Sequence, residues 1–306
     1  MTTAFVPVPE SPGPAPVRRR GLRLVGRLVW DSRAGRVGAG ILLVFTVVAV
    51  FAPLLAPYDP KVPVAPSFTR PDAQHLLGTN DIGQDILSEL IFGARISLGV
   101  AVVVSTIGTA MACLVGVGAG YSRGRWASVL MRLVDVVLVL PFLPLLLLIA
   151  ALFGPRLEVQ ILVIGLLLWA RPARVLRAAT LAMSSAGHVE AAVWMGGSTS
   201  YIIRRHVVPR IAPVIVAEFV RIANITILLE ASLAFLGLGD PVAKSWGTML
   251  HYAYARAAFL TGSWPWWVVP PGLCIGAVVM GFALLGFALE QGTDPRLQRK
   301  GWLGTS

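Results

Sequence analysis

The 306-residue chain is poor in charged residues and in cysteine. Charged side chains make up 13% of the sequence, about half the share that is usual in a soluble domain. The hydrophobic fraction is 56%, and one soluble core does not bury that much apolar surface, because cores stop growing beyond ~250–300 residues. The composition excludes an ordinary soluble enzyme and indicates a protein whose solvent is lipid.

Residues that build cofactor and metal sites are scarce or unsuitably spaced. Cys113 and Cys274 lie far apart in apolar runs, which predicts neither a disulfide framework nor a cysteine-rich metal site. None of the lysines follows a glycine, so the Gly-Lys-Ser/Thr core of a P-loop is absent. The histidines have no partner at metal-ligand spacing. We therefore expect no cofactor, no metal and no catalytic residue in this chain.

Six apolar segments predict an all-α, polytopic membrane protein. Four of them are long enough to cross a hydrocarbon core of ~30 Å without further argument. The segment 159–170 is short, and a re-entrant loop is the alternative structure for it. The segment 211–229 contains two charged residues, Glu218 and Arg221, at i, i+3 spacing. The predicted spans are 37–57, 96–122, 136–155, 159–170, 211–229 and 264–289.

The distribution of positive charge fixes the expected topology. With six crossings, one side of the membrane receives 19 of the 26 Lys and Arg residues and the other side six. By the positive-inside rule, both termini are cytoplasmic. The segment 159–170 is retained as a span whose helix continues past Arg171, since its omission moves six arginines to the outer side. The net charge of +11 is thereby assigned to membrane orientation and not to a nucleic acid partner.

The predicted organisation has four parts. Residues 1–36 form a cytoplasmic segment, of which 1–17 are proline-rich and expected to be disordered, and 18–36 are basic and amphipathic, suited to an anionic lipid surface. Residues 37–95 hold the first span and an extracytoplasmic segment. Residues 96–290 form the transmembrane core, and 291–306 a cytoplasmic tail. A twin-arginine export signal is the less favoured reading of Arg18 to Arg20, because the following apolar run is too long.

The cytoplasmic loop 171–210 is far longer than a connection between two spans requires. Its centre reads HVEAAVWMGGSTSYIIRRHVVP. Glu190 begins a short helical run, Gly196 and Gly197 interrupt it, and a second run from Tyr201 ends before Pro209. The pattern predicts a helix-turn-helix hook that docks on a peripheral partner, with Ala191 and Ala192 permitting close approach; a plain surface connector is the alternative.

These residues resemble a known family. Glu190, Ala191, Ala192, Gly196 and Pro209 match the EAA motif of binding-protein-dependent ABC importer permeases, with Gly197 beside it. HLLGTNDIGQDILSELIFGARISL, EASLAFLGLGDPVAKSWGTML, TDPRL and FAPLLAPYDP are similar to the dipeptide, oligopeptide and nickel branch. The resemblance is to the second permease subunit of that branch; it departs at Gln84, where an arginine is usual.

The resemblance implies a type I importer fold in a bacterial cytoplasmic membrane. It also implies a homologous second permease, an extracytoplasmic binding protein, and two cytoplasmic ATPase domains that bind ATP and Mg²⁺. The expected cargo is a dipeptide or oligopeptide, with nickel, glutathione or another small solute as alternatives.

Glu218, Arg221 and Glu230 are the remaining candidate residues, because ionisable groups inside a membrane are costly. In the importer reading, they line the pathway or stabilise the interface between the permeases. In a rival reading they are the coupling site of an ion-driven secondary transporter. A membrane scaffold without transport is a third reading, but it gives these charges no role.

The topology generates a direct prediction. A reporter fused near Thr199 should be cytoplasmic, and one near Gln74 should be extracytoplasmic, because the arginine-rich segments lie on the side of Thr199. Paired alkaline phosphatase and green fluorescent protein fusions check this. Phosphatase activity at Thr199 would contradict the charge argument.

Overall fold

The computed structural model describes residues 20–122 and 124–293, and regular structure within them is helical apart from one isolated β-bridge. The segment 1–17, predicted to be disordered, and residues 294–306 of the predicted tail lie outside the described residues.

Two helices open the described chain. Helix α1 (Arg20–Asp31) leads into α2 (Arg33–Val50), and the Ser32 side chain between them accepts a hydrogen bond from the N–H of Gly35 at 3.3 Å. Val25, Leu28 and Val29 of α1 pack against the main core of the bundle. A short helix α3 (Ala52–Leu55) follows α2, so the first span ends in a kink at Phe51 instead of running unbroken to residue 57.

Helix α4 (Ile86–Tyr121) has 36 residues and begins ten residues before the predicted span. Asp85 caps its start, since one carboxylate oxygen accepts a hydrogen bond from the N–H of Ser88 at 2.8 Å. The predicted span began at 96, where the uncharged run starts after Arg95. The helix itself begins earlier, and Glu89 is buried within its first turns.

The third span is broken. Helices α5 (Arg125–Val139) and α6 (Phe142–Phe153) are bent by 81° relative to one another. The predicted span 136–155 is therefore not one continuous helix, and Pro141 is the physical reason. Proline lacks an N–H and forces the preceding residue out of the helical region; Leu140 accordingly has φ −61° and ψ 132°.

The fourth span is continuous. Helices α7 (Leu157–Leu168) and α8 (Ala170–Ser184) follow one another to form a 28-residue span. The expectation that this helix runs past Arg171 is confirmed, and a re-entrant loop is not formed here.

The fifth span begins far outside the predicted limits. After α9 (Gly187–Trp194), the chain enters α10 (Thr199–Ile202), a π-helical turn (Ile203–Val207) and α11 (Val208–Leu233). Together with a second π-helical turn these elements form a 40-residue span, Thr199–Leu238, which is kinked near its end at Gly237 (φ +84°).

The last helices are α12 (Trp246–Ala255), α13 (Trp264–Trp267) and α14 (Val269–Thr293). Within the described residues, five helices are long and apolar enough to cross a membrane, and the number is six if the bent pair α5–α6 forms one broken span. The all-α polytopic fold is confirmed. The side of the membrane on which each end lies stays a prediction.

Close helix packing holds the bundle together. A Cβ at Gly116 of α4 would lie 2.4 Å from the carbonyl oxygen of Ala173 in α8, and one at Gly120 would lie 2.6 Å from the Thr180 Cβ. No L side chain fits at those distances, so the glycines let the two backbones approach, as small residues do in membrane helix pairs.

Candidate functional site

Residues 187–202 form a compact helical hairpin at one end of the bundle, which we call the hook. Gly196 has φ +79°, a backbone conformation that L side chains rarely adopt. Its N–H donates to the carbonyl of Val193 at 2.9 Å, and the N–H of Gly197 donates to Ala192 at 3.0 Å. Ser198 caps the second arm by accepting from the N–H of Tyr201 at 3.3 Å. The predicted helix-turn-helix is confirmed.

One face of the hook is anchored in the protein. Its buried side chains join a small core with residues of α4 and α11, and none of them is more than 5% exposed. The members of this core are Val117, Val189, Ala192, Ile202, Val207 and Ile211. The hook is therefore packed against the start of the fifth span and does not hang from the bundle as a free loop.

The opposite face of the hook is apolar and exposed. Trp194 is 89% exposed and Met195 80%, with Val193 and Tyr201 each more than half exposed. Large apolar side chains gathered on a surface mark a site where another molecule binds, and aromatic residues and methionine are enriched at protein interfaces.

The predicted hook residues divide between the two faces. Glu190, Ala191 and Pro209 are exposed, whereas Ala192 is 4% exposed and packs inward. The expectation that both alanines permit close approach was therefore wrong for Ala192. The expected helix end before Pro209 was also wrong, because a π-helical turn that ends at Val207 carries the helix past this proline into α11.

Glu218 and Arg221 are paired in the middle of the fifth span. Arg221 Nη2 lies 2.8 Å from Glu218 Oε2. Glu218 is 7% exposed, while the Arg221 side chain is 36% exposed. The pair therefore shields the carboxylate and leaves part of the guanidinium open.

Glu230 is separate from that pair. It lies twelve residues further along the same helix, about 18 Å at 1.5 Å per residue. The Ser97 hydroxyl of α4 donates to its carboxylate at 3.5 Å and accepts from the N–H of Trp246 at 3.3 Å. Glu230 thus lies where three elements meet at the end of the bundle away from the hook.

A buried ion pair that the sequence did not indicate lies at this end of the bundle, away from the hook. The Lys244 ammonium contacts the Glu89 carboxylate and the Gln84 side-chain oxygen, and donates to the carbonyl of Pro60 at 3.2 Å. Asn80 donates to Glu89 at 3.0 Å. The network links the segment after the first span to the loop before α12. The only sign of it in the sequence was Gln84, which stands where an arginine is usual.

Comparison with known proteins decides the family. Residues 112–299 match the binding-protein-dependent transport system inner membrane component, and residues 27–78 match the N-terminal transmembrane domain of oligopeptide transport permease C. The chain belongs to this family of permeases.

Relatives that cover nearly the whole permease carry consistent names. The di/tripeptide transport system permease protein DppC of Pseudomonas aeruginosa is 36% identical over 285 residues, which cover 88% of this chain and 91% of the relative. The dipeptide transport system permease protein DppC of Bacillus subtilis is 33% identical over 279 residues, which cover 89% and 85%. The permease is a multi-pass inner membrane protein.

The far-end network yields a stability prediction for the permease. Lys244→Met should lower thermal stability strongly, because it leaves the Glu89 carboxylate buried without its cation. The expected decrease in the free energy of unfolding is about 3–5 kcal/mol. Lys244→Met combined with Glu89→Gln should recover most of it, because no unpaired charge remains. Thermal unfolding of the purified permease measures both.

Arg256→Met is the matched control. Arg256 pairs with Asp81 at 3.0 Å, but its side chain is 58% exposed, and exposed pairs contribute about 0–1 kcal/mol. A double variant as unstable as Lys244→Met would contradict the ion-pair account.

Proposed function

We propose that this permease forms half of the translocation pathway of an ATP-driven peptide importer and that the hook couples it to an ATPase. The observation that carries the proposal is the helix that runs from Thr199 through α11 to the kink at Gly237, which joins the second arm of the hook to the fifth span. The di/tripeptide and dipeptide permeases that it resembles support peptides as the cargo.

The proposed complex contains a homologous second permease, two ATPase domains and a substrate-binding protein on the far side. ATP and Mg²⁺ bind to the ATPase domains, and this chain performs no catalysis of its own. We place the hook in the cytoplasm, because the positively charged segments fall on its side of the membrane.

The two faces of the hook suit a mechanical link. Trp194 and Met195 are the exposed side chains that would enter an apolar groove on the ATPase. Val189 and Ile202 hold the hook against the protein's own core, so a displacement of the hook is passed to the fifth span. Dimerisation of the ATPase domains would then switch the two permeases from inward to outward access.

Glu218, Arg221 and Glu230 receive two different roles in this proposal. Glu230, close to Ser97 and Trp246, positions the far-side loops that form the outer gate. The partly open guanidinium of Arg221 faces the pathway, and Glu218 orients it.

The turn of the hook provides the test. Gly196→Val should abolish binding-protein-stimulated ATPase activity and reduce uptake by tenfold or more, because a β-branched residue is strained at this positive φ and misdirects Trp194. Insertion of the six spans should be unchanged. The measurements are uptake and ATPase activity of the reconstituted complex, together with the amount of ATPase that co-purifies.

Gly187→Ala is the matched control, because Gly187 starts the same hook with no positive φ and nothing within 4 Å of an added Cβ. Trp194→Ala tests the exposed face without altering the turn and should weaken ATPase association. Full uptake and normal ATPase association in both Gly196→Val and Trp194→Ala would contradict the coupling role. The hook would then be only a surface connector between two spans.

A further inference from the structure

A cavity of about 230 Å³ opens where the broken third span meets the fourth and fifth spans. Its walls are mainly apolar, with Leu138, Leu140 and Phe142 from the two sides of the break. Arg171 and Arg221 bring two guanidinium groups to the same space. They lie 50 residues apart in sequence, on different helices.

The two arginines lie on different spans. Arg171 is the first residue after the predicted fourth span, within the helix Leu157–Ser184. Arg221 lies inside the predicted fifth span, in α11 (Val208–Leu233).

The two guanidinium groups differ in their partners. Arg221 forms its ion pair with Glu218 at 2.8 Å. Arg171 has an exposed side chain and forms no ion pair among the described residues. A guanidinium without an ion-pair partner is available to an anionic ligand in the cavity. The cavity therefore holds one uncompensated positive charge.

The broken helix contributes to the same electrostatic field. Helix α6 begins at Phe142, beside the cavity, without a side-chain cap. Interrupted helices at membrane depth are tolerated where they line a cavity, and they mark substrate sites in transporters. The N-terminal end of α6 presents a partial positive charge, which adds to the attraction for an anion.

We propose that this cavity binds the C-terminal carboxylate of a peptide during its passage, with Arg171 as the contacting group and Arg221 as the second donor oriented by Glu218. The inference rests on the proposed transport function and deepens it. A guanidinium fork matches a carboxylate with two parallel hydrogen bonds. The apolar walls accept varied side chains, so recognition falls on the C-terminal carboxylate, the anionic group that every unmodified peptide carries.

The test compares a peptide with its C-terminal amide in the full reconstituted complex. For each variant, uptake of the free-acid peptide is divided by uptake of the amide, with both peptides saturating the binding protein. Arg171→Gln should lower free-acid uptake about tenfold, because the loss of one charge-assisted hydrogen bond has an effect of that size. Uptake of the amide should be nearly unchanged. Arg171→Lys should recover most of the preference, because it keeps the charge.

Arg174→Gln is the matched control. Arg174 lies one turn further along α8, outside the cavity, and pairs with Asp135 at 2.5 Å with both side chains more than half exposed. Its acid-to-amide ratio should equal that of the wild type. ATPase stimulation by the binding protein, measured for every variant, reports whether coupling is intact.

The outcomes separate this inference from the function on which it rests. If Arg171→Gln lowers uptake of acid and amide equally, or changes neither, the carboxylate site is refuted while the importer proposal stands. A wild-type complex that takes up no peptide on addition of ATP would overturn both.

Discussion

The hydrocarbon core of a bilayer offers no hydrogen-bond partner to the backbone, and the architecture of this permease follows from that constraint. Each crossing has to satisfy its N–H and C=O groups within a helix. The fifth crossing meets the requirement with a helix that does not stop at the membrane surface but extends back to Thr199 in the hook. The third crossing is interrupted at Leu140 and Pro141, and a cavity lies beside that interruption. We propose that the continuous fifth helix transmits movement of the hook and that the interrupted third span borders a binding site.

Charges within the bundle fall at places where the fold compensates them. Glu89 and Lys244 neutralise one another at the far end, and Glu218 is paired with Arg221 near the centre. The first pair joins loops that have to be held in place, whereas the second leaves a guanidinium partly open. Arg171 lacks such a partner among the described residues, which sets it apart from charges whose role is structural. The presence or absence of an ion-pair partner thus separates residues that hold the fold from one that we propose is available to a substrate.

Periodicity and charge counts predicted the local features of this fold but not its long-range contacts. The number of crossings follows from apolar length and arginine distribution, and the hook follows from the glycine pair at Gly196. The break at Pro141 was missed because a proline in a membrane helix can kink it without ending it. The start at Ile86 was missed because buried Glu89 resembles an exposed charge in sequence. Its partner Lys244 is 155 residues away, and no pattern in one sequence reports that proximity.

The central claim is that the hook and the fifth span move as one rigid body. Spin labels at Thr199 and Leu228, both exposed, would be 29 residues apart on one helix, about 43 Å, after replacement of Cys113 and Cys274. Double electron–electron resonance on the complex, nucleotide-free and ATP-trapped, should give the same distance in both states, while the distance from Leu228 to the partner permease changes. A change of more than about 5 Å, one helical turn, between Thr199 and Leu228 would contradict the account.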